Sequence, residues 1–209
     1  MILEGVVTSL NPAKQLNIAP MGPIVDESLN WLHLRPFQTS MTFRNLKETQ
    51  CGVFHVVDDV LLIAQAALNR LPPEVPTRPA IEIEGQVLES ACRWYEFRVE
   101  SLDDSQDRSE IRCRVVHRGH LRDFFGFQRA KHAVLEATIL ATRLHLIPRE
   151  EIDARFADLR IIVNKTAGPR EIKAMNLVEE FVQQERRGDG LVPSRPGDPR
   201  PFNDPSQAG

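Results

Sequence analysis

The sequence predicts a mainly β chain of the α+β class: a small antiparallel barrel over residues 1–125, a helical subdomain over 126–187, and a tail over 188–209. Three observations support this division. Short apolar–polar alternations bounded by turn residues recur as far as Val115, which is how half-buried antiparallel strands read. From 127 to 147 the chain has neither Gly nor Pro and is rich in Ala and Leu, as a long helix would be. From Gly188 onward it is dense in Pro, Gly, Asp and Ser, a composition that cannot bury a core and predicts disorder.

In order, residues 2–10 are rich in β-branched side chains, and Asn11-Pro12-Ala13-Lys14 makes a turn. Residues 16–25 resume an extended run, which predicts a hairpin with a long loop. A polar turn at 26–28 precedes a strand over 31–35 that Pro36 ends. Residues 40–48 suit a short helix with a hydroxyl cap, and 52–57 return to strand. Asp58 is the candidate cap of a helix over 60–71, after which Pro72, Pro73, Pro76 and Pro79 form a stiff loop. Alternation at 81–87, 91–99 and 111–115 predicts three more strands, for six or seven in all, a number that suits a small barrel. Pro148 breaks the long helix, a second helix covers 150–163, and Pro169 opens a third that runs to about Arg186.

At 209 residues with 42% hydrophobic content the chain can bury a core. Its net charge of −3 and pI near 6.1 lack the basic footprint of nucleic-acid binders, so no nucleic-acid partner is expected. Cys51, Cys92 and Cys113 are widely spaced with no C-x-x-C pair, which argues for buried free thiols in a reducing compartment. No apolar run reaches the roughly 20 residues of a membrane span, and no basic segment with a long apolar stretch opens the chain, so a cytoplasmic protein without a membrane partner is expected.

Catalytic residues are not identifiable: G-x-S-x-G, H-E-x-x-H and G-x-G-x-x-G are all missing. His55 with Asp58 and Asp59 reads as a strand histidine beside a helix cap, and no metal site is expected. The stretch 17–45 is more informative. An Arg-Pro corner at Arg35 leads to a helix start carrying Ser40, Thr42 and Asn45 within about a turn, and a helix N-terminus with its bare N–H groups favours a phosphate. Ser40 alone is also explained as an N-cap. The kinked segment Ala19-Pro20-Met21-Gly22 reads either as a strand with a packed Met or as a backbone edge that a flat ring can approach, helped by Gly22.

On the long helix, Arg129, His132, Glu136 and Arg143 fall within about 60° of one another at 100° per residue. This charged stripe runs between an apolar face of Ala130, Ala133, Ala137, Leu140 and Leu144 and a second apolar patch of Leu135, Ile139 and Leu146. It admits two readings. Either Glu136 pairs with Arg129 and Arg143 in a structural network, or Arg129 and His132 face a bound anion.

The order Asn17-Ile18-Ala19-Pro20, then Thr42-Phe43-Arg44-Asn45-Leu46, resembles the flavin-reductase-like branch of the FMN-binding split barrels. The fuller set of NIAPMG at 17–22, TxxNL at 42–46 and RAKHAVLEA at 129–137 is more similar to a poorly characterised archaeal and bacterial family of split-barrel flavoprotein domains. The likeness spans residues 1–181. It implies a Greek-key-like split β-barrel that binds FMN through Asn17, Ala19, Pro20, Met21, Gly22, Arg35, Ser40, Thr42 and Asn45; on the second reading of the charged stripe, Arg129 and His132 join that cofactor-binding set. It also implies a homodimer with the flavin between subunits. The expected partners are then flavin and a small-molecule substrate. The leading function is an oxidoreductase moving hydride or electrons between a reduced nicotinamide or deazaflavin and a small acceptor. A non-catalytic flavin carrier or sensor, and an interaction protein whose barrel has lost its cofactor, are the alternatives.

Overall fold

The computed structural model describes residues 1–188; the tail expected over 188–209 lies, except for Gly188, outside them. Strands β1 (Gly5–Leu10), β2 (Leu16–Met21), β3 (Ile24–Val25), β4 (Trp31–Leu34) and β5 (Cys51–Val56) precede a short pair, β6 (Thr77–Pro79) and β7 (Gln86–Leu88). The long strands β8 (Arg93–Asp103) and β9 (Glu110–His120) follow. All but β6 and β7 join one seven-stranded antiparallel sheet in the order β2-β1-β5-β8-β9-β4-β3.

The N-terminus curls this sheet on itself. Ile2 bridges Ile24, Val25 N–H donates to the Met1 carbonyl at 2.8 Å and Leu3 N–H to Pro23 at 3.1 Å, so the chain entering β1 also touches β3 at the far end of the sheet. The result is the split-barrel fold. Its interior is filled by Val7, Leu32, Leu34, Phe54, Tyr95, Phe97 and Ile111, with Phe43 and Leu46 of helix α1 (Met41–Thr49) packed in.

Helix α2 (Val60–Ala67) belongs by sequence to the barrel and by packing to the helices. Its Val60, Leu61 and Ala64 share one core with α3 (Arg129–Ala141), α4 (Arg149–Thr166) and α5 (Pro169–Arg187), a core that includes Val134, Phe156 and Met175. Inside the barrel wall, His55 is completely buried, with Nδ1 3.1 Å from the Val6 carbonyl and Nε2 accepting from Leu88 N–H at 3.1 Å. Burial disfavours its charged form and pulls its pKa down to about 4.

Several expectations are corrected. Residues 16–25 are not one run, because Gly22 and Pro23 separate β2 from β3. Asp59, not Asp58, caps α2, its carboxylate accepting from Leu61 N–H at 3.1 Å and Leu62 N–H at 3.3 Å. Residues 81–85 are no strand, since Ile81 and Glu82 donate their N–H groups to the buried Glu96 carboxylate at 2.9 and 2.7 Å instead of to a neighbouring strand. The proline-rich loop contributes β6, which was not expected. The long helix stops at Ala141: beyond it, Arg143 N–H reaches Leu140 and Leu146 N–H reaches Arg143 at 2.9 Å, tight three-residue turns that lead to Pro148.

Candidate functional site

β2 is an edge strand, bonded to β1 on one side only. A cleft of about 800 Å³ opens along its free edge and is lined by Asn17, Ala19, Pro20 and Met21 of β2 together with Arg35, Ser40 and Thr42. An edge strand presents unpaired N–H and C=O groups, and Pro20 is tolerated because such a position needs no ladder bond. Seven of the sequence-selected residues therefore meet around one space.

Local chemistry explains how they are held. Ser40 is the N-cap of α1, its Oγ accepting from Phe43 N–H at 3.1 Å. No acidic residue stands in the first turn of α1 to offset the positive end of the helix dipole. Beneath the surface, Asn17 Nδ2 donates to Thr42 Oγ1 at 3.0 Å and lies 3.4 Å from Ser9 Oγ, which also accepts from Asn45 Nδ2 at 3.1 Å. All four side chains are buried. This polar cluster ties β1, β2 and α1 together under the cleft floor. Asn45 thus faces inward, behind Thr42, and does not line the cleft.

Arg35 and Arg108 occupy the same end of the cleft. Arg108 Nε donates to the Arg35 carbonyl at 3.0 Å, and its guanidinium lies 5.0 Å from the centre of the Phe37 ring. Among the described residues neither arginine has a carboxylate partner. Arg108 and Phe37 were missed in the sequence because they sit in loops far apart in the chain, brought together by an isolated bridge in the fold.

The remaining candidates lie elsewhere. Gly22 is outside the cleft; a Cβ there would come 2.8 Å from Ile2 and 3.1 Å from Glu4, so its smallness serves packing of the N-terminus. Arg129 and His132 are exposed at the start of α3, where His132 stacks on Phe127 at 6.1 Å between ring centres. The network of Arg129, Glu136 and Arg143, one of the two readings of the stripe, does not form: all three are exposed, and none has an ion pair among the described residues. Partners seven apart are two turns, or about 10.5 Å, from each other along the axis, too far for contact. The Glu4 carboxyl is shifted above its ordinary range by burial and by the Glu136 charge, with the Arg143 charge opposing. The patch of Leu135 and Ile139 turns into the cleft.

Comparison with known proteins follows this architecture. The N-terminal domain model of a protein family of unknown function, DUF447, matches residues 3–122, and the model of its second domain matches residues 128–180. No curated protein matches the chain. Among solved structures, the FMN-bound protein MM1853 from Methanosarcina mazei is similar at 25% identity and a TM-score of 0.74, covering 86% of this chain and 94% of that one. Flavin reductase HpaC, solved with NADP+, shares the fold at 19% identity and a TM-score of 0.51, over 61% of this chain and 83% of its own. An FMN-binding protein from Thermus thermophilus, solved with p-hydroxybenzaldehyde, shares it at 12% identity and a TM-score of 0.50, over 57% and 73%. With its barrel and its helical region each matched by that family's two models, the chain belongs to the DUF447 family of FMN-binding split-barrel fold.

Proposed function

We propose that the cleft along β2 binds FMN and that the protein is an oxidoreductase passing hydride or electrons from a reduced nicotinamide or deazaflavin to a small acceptor. The observation that carries this reading is the pairing, in one cleft, of a free strand edge with an anion-attracting end. The residues present fit the group. Arg35, Arg108, Ser40, Thr42 and the start of α1 suit the phosphate, and charge-assisted contacts of this kind contribute about 1.5–3 kcal/mol each. The backbone of Ala19 and Met21 suits the polar edge of the ring. Bound there, FMN would supply the electron chemistry, and the protein orientation and electrostatics. The similar Methanosarcina mazei protein, FMN-bound, supports the same cofactor.

The reading includes a homodimer. It is supported by the loop before α3, where Phe125 is 79% and Phe127 97% exposed, more apolar surface than a lone chain ordinarily leaves in water at one loop. In such a pair Arg129 and His132, beside those rings, would meet the flavin of the partner subunit. The three cysteines, all free and buried, fit a cytoplasmic location.

Fluorescence titration tests the cofactor, with FMN expected to bind more tightly than riboflavin because only FMN carries the phosphate. Equal affinity would remove the phosphate assignment. Oxidation of a reduced nicotinamide by the FMN-loaded protein, followed at a series of acceptors, tests the enzymatic part; an FMN-loaded protein that turns over no donor would leave a carrier or sensor.

A further inference from the structure

The cleft is longer than the strip that the FMN reading uses. Beside β2 it continues as an arm between the helices, walled by Ile63 and Ala67 of α2, Leu135 and Ile139 of α3, Leu144, and Phe181 of α5. The hydroxyls on this arm are turned back onto their own helix, Thr138 Oγ1 donating to Val134 and Thr142 Oγ1 to Ile139 at 2.8 Å each. Small Ala66 and Ala67 of α2 and bulkier Leu135 and Ile139 of α3 line this slot from two helices, and a ligand that shares it with a flavin ring along β2 stacks best when it is itself flat.

Charge divides the cleft in two. Arg35 and Arg108 stand at the end toward α1, whereas Glu185 of α5, His145 and, at the junction, Glu4 are the ionisable groups toward the helices. Glu185 has no ion pair among the described residues, and Arg70 beside it is committed to Gln184 at 2.8 Å. With its carboxylates, this end suits a phosphate-bearing molecule less than the end held by Arg35 and Arg108.

We propose that the helical arm is the subsite of the second ligand, and that it takes a neutral, flat, largely apolar molecule laid against the cofactor bound along β2. It rests on the FMN reading for the neighbour of that ligand, though not for the arm itself. The helical subdomain then serves to build this wall, since α3 and α5 supply half of it.

The probe is menadione, a neutral flat apolar quinone, titrated into FMN-loaded protein by calorimetry and by the change in the flavin's visible absorbance. Two substitutions fill the slot from opposite walls, Ile139→Trp on α3 and Ala67→Leu on α2. Each is expected to weaken menadione about tenfold or more, the equivalent of losing one good apolar contact, while the FMN dissociation constant stays within about twofold. Glu185→Gln should strengthen binding of menadione bisulfite, an anion, and leave menadione unchanged. Should Ile139→Trp not fold, Ala67→Leu decides. Menadione that fails to bind, or that binds both filled variants as it binds the native chain, overturns the proposal, and so does a parallel loss of FMN, which would make the arm part of the flavin site. If the protein takes up no FMN at all, the cofactor reading fails separately; menadione bound by the apo-protein and lost on filling would still establish the arm.

Discussion

Asp58 and Arg122 join the barrel to the helical subdomain through a single buried carboxylate. Arg122 donates to its two oxygens at 3.0 and 2.5 Å, Phe125 N–H adds a bond of 2.9 Å, and the Lys131 ammonium of α3 lies 3.9 Å away. Because Asp58 lies two residues past the end of β5 and Phe125 in the approach to α3, one side chain ties the end of that strand to the place where the helices leave the barrel. The Arg122 hydrogen bonds hold the Asp58 carboxyl well below its ordinary range, at about 2, against the opposing effect of burial.

The sign of the resulting pH dependence follows from linkage. A depressed folded-state pKa contributes stability that is present above the unfolded value of 3.8 and is lost as pH falls toward about 2. That loss is expected to be on the order of 2 kcal/mol. Urea melts between these limits should show it in the native chain, and Asp58→Asn, less stable by about 3 kcal/mol near neutrality, should lack this part of the acid dependence. An identical acid profile in both proteins would show that Asp58 is not the group responsible.

Trp94 and Gly119 stand opposite each other in the β8–β9 ladder, and a Cβ on Gly119 would collide with the indole. Gly119→Ala is therefore expected to cost roughly 1–3 kcal/mol through overpacking. Tryptophan fluorescence during denaturation is a suitable readout, and unchanged stability with unchanged emission would show that the indole yields freely.

Thr42→Ala and Arg35→Met should weaken FMN by about tenfold each while changing riboflavin much less. Titration of both ligands against each variant separates the phosphate contribution from damage to the floor, because loss of the Asn17–Thr42 hydrogen bond would lower both affinities together.

Glu136→Gln is expected to shift stability by less than about 0.5 kcal/mol, as for an exposed residue with no ion pair. A thermal melt of the apo-protein that drops by several degrees would mean that Glu136 is paired in solution after all.

If the exposed phenylalanines form the dimer face, the native chain should run at twice 23.7 kDa in light scattering, and Phe125→Asp with Phe127→Asp should return it to a monomer with its apo-stability near that of the native chain. A native chain that is monomeric with flavin bound rejects the dimer.

Local chemistry alone determined a good deal. Strand alternation, prolines at element ends and the hydroxyl at Ser40 are read from neighbours a few residues apart, so most of the barrel strands, the start of α1 and the break at Pro148 were legible, and Asn17, Ala19, Pro20 and Met21 with Arg35, Ser40 and Thr42 could be singled out before they were seen around one cleft. What only the tertiary structure decided depends on groups distant in sequence. Whether Asp58 or Asp59 caps α2 turned on Arg122 claiming Asp58 from 64 residues away. Residues 81–85 alternate like a strand but lose their donors to a buried Glu96. The two sides of α3 could not be ranked from the helix alone, since both are apolar beside a charged stripe; it is the position of β2 and α2 that turns Leu135 and Ile139 into the cleft and leaves Arg129 and Glu136 in solvent. Periodicity says which residues share a face, and only the packing partner says what that face meets.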